Sequence, residues 1–351
     1  MEKAIHVDNK IAWIENMRLI AIMAVITVHI AAYGTPVVFD ANGNITGNWW
    51  AVNFYESVCR CCVPLFVMIT GSLLLPRSMS LKDFLKKRLV RLLSPFIFWS
   101  LLYITLNLAL KIRNEGFHGP QQFASWFLLQ CINGAQFHLW YVYMLIGLYL
   151  FIPILQPWIK VADNRSLQYF LGLCIVTVTL NQFSILHSAF DLRYFGGYAG
   201  YLVLGYYIAG RIKCSKQTLY AGLLLFAIGF IITFTGTFLT TRAHGSFSDD
   251  FYNYLTLNVF LLSTGAFLLI KSWHQNGSPV FIRFRNVVNT YGFGIYLCHP
   301  LLITIMAHFK LNYAFITPYI GIPLSMCVCL SLSCMLIYVL SKIPYGKYIT
   351  T

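Results

Sequence analysis

The chain has 351 residues, of which 58% are hydrophobic and only 10% charged, with a formal net charge of +14. Soluble domains average about 45–50% apolar and about 25% charged residues, so a soluble globular fold is excluded. The positive balance does not point to nucleic acid either. Its cations lie in short segments between hydrophobic runs, where they mark the cytoplasmic side of a membrane protein.

The chain reads as an all-α polytopic membrane protein, one integral-membrane domain over 1–351, with about ten transmembrane helices. A polar lead over 1–16 precedes a first helix at about 17–35, and Ala31-Ala32-Tyr33 is a poor cleavage site for a signal peptide. The loop 36–50 contains the glycosylation-type triplet Asn44-Ile45-Thr46, which has meaning only in a eukaryotic lumen. A second span runs from Ala51 to Leu75, a basic segment follows, and a third span covers Ser94–Leu110. The connection 112–137 predicts a short interfacial helix at Gln122–Gln130, before a fourth span at His138–Trp158. Further spans fall at about 168–186, 197–210, 218–240, 251–270, 287–308 and 319–341. With the N-terminus inside, nineteen of the 25 Lys and Arg fall in cytoplasmic segments, five outside and one, Arg60, within the second span. Both termini are therefore expected in the cytoplasm.

The ten cysteines show no metal-type spacing, and most lie inside apolar runs, so they read as small buried hydrophobes with no metal implied. Neither an internal repeat nor paired Gly/Pro-broken spans stand out, which speaks against an inverted-repeat carrier.

Five features carry chemistry. Arg18 and His29 lie eleven residues apart in the first helix. At about 100° and 1.5 Å per residue they share one face and stand roughly 16 Å apart along the axis. An imidazole at that depth is costly and usually functional. Glu15, one turn before Arg18, is placed to pair with it. Arg60 needs a partner inside its span, and Glu56 or a ligand anion is the expected one. Arg88 and Arg91 share a helical face at the start of the third span, where they and Lys87 could clamp phosphates from the cytoplasmic side. His138, Trp140 and Tyr141 open the fourth span, either as an aromatic belt or as an acceptor mouth. Tyr296 and His299 lie within the ninth span, where His299-Pro300 is either a kink or part of the site.

Five motifs resemble the membrane acyltransferase-3 family. They are Arg18-x10-His29, the run Val63–Ser72, Phe84-x3-Arg88-x2-Arg91-x3-Pro95, His138-Leu139-Trp140-Tyr141-x7-Tyr149-x3-Pro153, and Gly294-Ile295-Tyr296-Leu297-x-His299-Pro300. Together they cover nearly the whole chain. The chain is most similar to the stand-alone branch that O-acetylates surface polysaccharide or its lipid-linked precursors. Two positions depart from the family pattern: Glu15 stands for the more usual Asp, and Thr70 for the usual Ser before Gly71.

The resemblance implies a multi-pass enzyme of the bacterial cytoplasmic (inner) membrane. It would transfer an acyl group, most simply from acetyl-CoA, to a hydroxyl of a surface glycan or lipid-linked saccharide on the far side of the bilayer. His29 would act as general base or as a transient acyl carrier. Arg18, Arg60 or Thr70 would stabilise the thioester or the oxyanion. Arg88, Arg91 and Lys87 would hold the CoA phosphates, and His138, Trp140, Tyr141, Tyr296 and His299 the acceptor. A flippase for a lipid-linked sugar, or the same enzyme with a succinyl donor, are the alternatives. Oligomeric state is silent in the sequence.

Overall fold

The computed structural model describes residues 2–33, 37–116, 119–182, 193–273, 277–313 and 316–350. Among them the architecture is helical, with one isolated bridge between Phe39 and Ile45 in place of any strand. The end of the expected fifth span, 183–186, lies outside the described residues.

Helix α1 spans Glu2–Ala32, so the polar lead is helical rather than extended. Its residues include no Gly or Pro to break the ladder. The expected second span is broken in two, α2 (Gly47–Cys59) and α3 (Cys62–Leu74). The cause is Pro64, which has no N–H to offer the carbonyl of Arg60 one turn earlier. Thr46 caps α2 by accepting from the Trp49 N–H at 3.3 Å.

Helix α4 (Leu81–Glu115) absorbs the basic segment, which forms its first turns instead of a loop. Ser80 caps it, accepting from the Asp83 N–H at 3.1 Å. The short helix expected at Gln122–Gln130 is α5, Pro120–Asn133. There follow α6 (Trp140–Val161), α7 (Asn164–Gln182), α8 (Arg193–Arg211), α9 (Lys216–His244), α10 (Leu257–Lys271), α11 (Pro279–His308), α12 (Pro318–Lys342) and the terminal turn α13 (Lys347–Thr350). Counting α2 with α3, eight spans among the described residues are long and apolar enough to cross a bilayer. Helices α7 and α8, of 19 residues each, stand where the fifth and sixth spans are expected.

The outer faces are apolar. Leu223, Leu224, Ile231 and Leu239 on α9 and Met335 and Val339 on α12 are exposed, as they are when the surrounding solvent is lipid. Inside, small residues let helices touch backbone to backbone. A methyl group added at Gly71 of α3 would collide with the backbone of Leu202 on α8, and one at Gly205 with that of Met68. Gly229 and Gly265 do the same for α9 and α10. The last turn, α13, is tied beneath α4: Trp99 Nε1 donates to the Ile349 carbonyl at 3.0 Å and Ser94 Oγ to that of Tyr348 at 2.7 Å.

Candidate active site

Most of the residues singled out by sequence fall into two cavities and a histidine cluster, with Glu15 and Lys87 outside them. The first cavity, of about 410 Å³, is lined by Arg18 from α1, Thr70 from α3, Arg77 just after α3, and Arg88 and Arg91 from α4. Tyr141 and Tyr149 of α6 and Asn289 and Tyr296 of α11 complete its wall. Four arginines line this space, and no carboxylate does among the described residues. The arrangement suits a ligand carrying several negative charges. Apolar side chains such as Phe66, Leu145 and Phe293 continue the wall.

Tyr296 leads from that cavity to the imidazoles. Its ring lies 5.3 Å from Tyr141 and 5.8 Å from His299, and its hydroxyl donates to the His138 carbonyl. His299 is fully buried and stacks on His29, with ring centroids 5.1 Å apart and planes at 29°. His138 meets His299 edge-on at 5.5 Å, and Phe137 closes on His29 at 5.1 Å. Three histidines from α1, the turn before α6, and α11 thus converge.

Pro300 explains the orientation of His299. Lacking an N–H, it leaves the Tyr296 carbonyl without its helical donor. His299 Nδ1 lies 2.7 Å from that oxygen and 3.2 Å from the Ile295 carbonyl. A carbonyl only accepts, so Nδ1 carries the proton and Nε2 keeps its lone pair. That Nε2 is buried without a hydrogen-bond partner. The kink and the site are one device.

Arg60 ends α2 at the break, half-buried and ion-paired with the buried Glu56. Its guanidinium carbon sits 4.3 Å from the centroid of Tyr252, a cation–π contact. Tyr252 is itself held by donating to Asn53 Oδ1 at 2.6 Å. Arg60 and Trp140 line the second cavity, of about 660 Å³. Trp140 stacks on Tyr254 at 5.7 Å and 28°. Adjacent residues of α6 therefore serve different spaces, Trp140 the second cavity and Tyr141 the first.

Several expectations change. Glu15 does not pair with Arg18; its carboxylate reaches Arg285 of α11 at 3.1 Å, while Arg285 also donates to Asn16 Oδ1 at 2.8 Å. Arg285 is buried and needs both partners. Lys87 is exposed and does not line the first cavity, because it is one residue off the face that presents Arg88 and Arg91. Thr70 lines the cavity, but its hydroxyl donates to the Phe66 carbonyl at 2.9 Å. Arg60 stands at the second cavity, away from the other arginines, and is ion-paired with Glu56, one of its two expected partners. Arg77, Asn289 and Phe137 are site neighbours that spacing did not single out, and Tyr149, a motif position given no role there, joins them. Arg77 carried a signal all the same, as a lone cation at the end of α3. No group of three or more His, Cys, Asp or Glu among the described residues is placed to hold a metal ion.

The fold and the site define a polytopic membrane protein in which a cluster of three imidazoles adjoins a polycationic cavity through Tyr296. Residues 11–339 match the family model described as an acyltransferase domain, and the chain belongs to that acyltransferase-3 family. It is a membrane-bound acyltransferase, and the flippase reading is set aside. No curated protein and no solved structure matches it.

Proposed function

We propose that the chain works as one integral-membrane domain in the bacterial cytoplasmic (inner) membrane, an O-acyltransferase with both termini in the cytoplasm. It takes an acetyl group from cytoplasmic acetyl-CoA and places it on a hydroxyl of a cell-surface glycan or its lipid-linked precursor. One observation carries this reading: the four-arginine cavity ends at Tyr296, whose ring touches His299, which in turn stacks on His29. A polyanionic donor held at one end thus has a short path to an imidazole roughly 16 Å along α1.

Arg88 and Arg91, with Arg18 and Arg77, hold the diphosphate and phosphate of CoA. The thioester arm lies along the apolar wall toward Tyr141 and Tyr296. His29 accepts the proton of the acceptor hydroxyl as its oxygen bonds to the thioester carbonyl carbon. The carbon–sulfur bond then breaks, the sulfur leaves as thiolate, and the proton on His29 returns to it. His299 positions His29 through the stacked contact, with its tautomer set by the Tyr296 carbonyl. Glu15 ties the middle of α1 to α11 through Arg285, and Glu56 holds Arg60 at the acceptor side.

The test is transfer of label from radiolabelled acetyl-CoA to extracted surface glycan by the purified protein. His29→Ala should lower it by about 10²–10⁴-fold at unchanged membrane yield. Full activity in His29→Ala removes the base assignment, and failure of the wild-type protein to use acetyl-CoA removes the donor.

A further inference from the structure

The second cavity has a chemistry of its own. It lies where α2, α7 and α9 end and where α6, α8 and α10 begin, and it is more polar than the arginine cavity. Trp140 and Tyr254 stack as one aromatic surface, and Tyr198 lies 6.0 Å from Trp140. Such faces bind the C–H side of a sugar ring, while amide, hydroxyl and carboxylate groups take its hydroxyls. On the wall, Gln182 and Asn253 offer amide N–H groups, their oxygens accepting from the Leu257 and Leu255 N–H at 3.0 and 2.9 Å, and Thr256 offers a hydroxyl oxygen, its proton going to the Asn253 carbonyl.

Charge narrows the choice of sugar. Arg60 is the one cation among the described lining residues, and Glu56 already neutralises it. Two carboxylates, the exposed Asp249 and Asp250, line the same space. Asp250 accepts from Ser248 Oγ at 2.8 Å, and neither aspartate forms an ion pair among the described residues. The lining is therefore net negative, the opposite of the arginine cavity.

We infer that this cavity is the acceptor subsite and that it selects an uncharged or amino-bearing saccharide against a uronate-type, carboxylated one. The inference rests on the acyltransferase reading for the word acceptor, whereas the binding preference stands on the cavity alone. The cavity and the imidazoles share one turn of chain: Phe137 and His138 pack on His29 and His299, and Trp140, next in the same turn, lines the cavity. Asp249 and Asp250 act as selectivity residues by repelling a carboxylated ring.

The test is equilibrium titration of the full chain in lipid nanodiscs, without acyl-CoA, using three probes of equal length: an N-acetylglucosamine tetramer, a glucosamine tetramer and a galacturonate tetramer. The neutral and amino probes should bind at least about tenfold more tightly than the galacturonate. Asp249→Asn with Asp250→Asn should shrink that ratio to less than about threefold. The ratio is measured within each preparation, so it does not depend on the yield of folded variant. Trp140→Ala should weaken the neutral and amino probes together. Equal or tighter galacturonate binding, no binding of any probe, or an unchanged ratio in the double variant overturns the inference. Intact binding without transfer from labelled acyl-CoA would instead count against the acyltransfer chemistry.

Discussion

Replacing Arg88 and Arg91 together by Ala tests the donor site most directly. Both line the cavity, Arg88 half-buried and Arg91 exposed, at i and i+3 on α4. A hydrogen bond to a charged group contributes about 1.5–3 kcal/mol, and exposure with salt screening argues for the lower end here. At about 1.4 kcal/mol per tenfold, each arginine accounts for roughly tenfold in donor affinity. Neighbours that grip one ligand are not additive, so the double variant should raise the apparent KM for acyl-CoA by about 30–100-fold. Arg18 and Arg77 remain and the imidazoles are untouched, so kcat should stay within about threefold. Initial rates at saturating acceptor, titrated with acyl-CoA and with its 3′-dephospho form, provide the assay. If an arginine holds the 3′-phosphate, the double variant should lose part of the preference for the full donor. Raising the salt should narrow the gap between wild type and variant. An unchanged donor KM, or a change confined to the acceptor KM, would refute the phosphate assignment.

The remaining predictions concern the scaffold around the imidazoles. Glu56→Gln leaves Arg60 as a half-buried charge without its partner, at a cost of about 3 kcal/mol visible as a lower Tm in nanodiscs. The double variant Glu56→Gln with Arg60→Met should recover most of that stability, because it removes the guanidinium that the single variant leaves without its partner. Failure of Arg60→Met to recover it would show that Arg60 is not what strains the single variant. His299→Asn keeps a short amide donor for the Tyr296 carbonyl but removes the ring stacked on His29. It should fold with near-normal Tm yet lose about 10²-fold in kcat, with donor KM unchanged. An active His299→Asn would remove the positioning role. Gly71→Ala forces α3 off the Leu202 backbone of α8, which should cost about 1–3 kcal/mol and reduce yield. A variant with wild-type Tm would show that the helix contact is looser than described.

What could be read from the sequence divides along a physical line. Arg18 with His29, and Arg88 with Arg91, are placed by spacing within one helix, and α1 and α4 present them as that spacing requires. Glu56 with Arg60 is likewise local, one turn apart. Long-range partners were not legible in the same way. Glu15 has a plausible neighbour one turn away in Arg18, yet the buried Arg285 from α11 takes its carboxylate. A local ion pair between half-buried side chains on one helix contributes little, whereas an unpaired buried guanidinium costs several kcal/mol, so the distant partner wins. No spacing rule announces that a cation far along the chain will be buried beside α1.

His299 shows the same limit from the other side. Read along the chain, a histidine before a proline is either a kink or a site, and nothing in the local pattern chooses. In three dimensions the alternatives merge. Pro300 frees the Tyr296 carbonyl, His299 Nδ1 donates to it, and that bond leaves Nε2 unprotonated and fixes the ring against His29. A helix defect is thereby turned into a preorganised imidazole, with its tautomer set by the backbone rather than by another side chain. It follows that Pro300→Ala should matter although the proline touches no substrate. Restoring the N–H of residue 300 gives the Tyr296 carbonyl its helical donor and makes it compete with His299 Nδ1. The helix should gain stability, in keeping with an unbroken ladder, while kcat falls as the ring of His299 loosens. A variant both more stable and fully active would show that the backbone bond does not hold the ring.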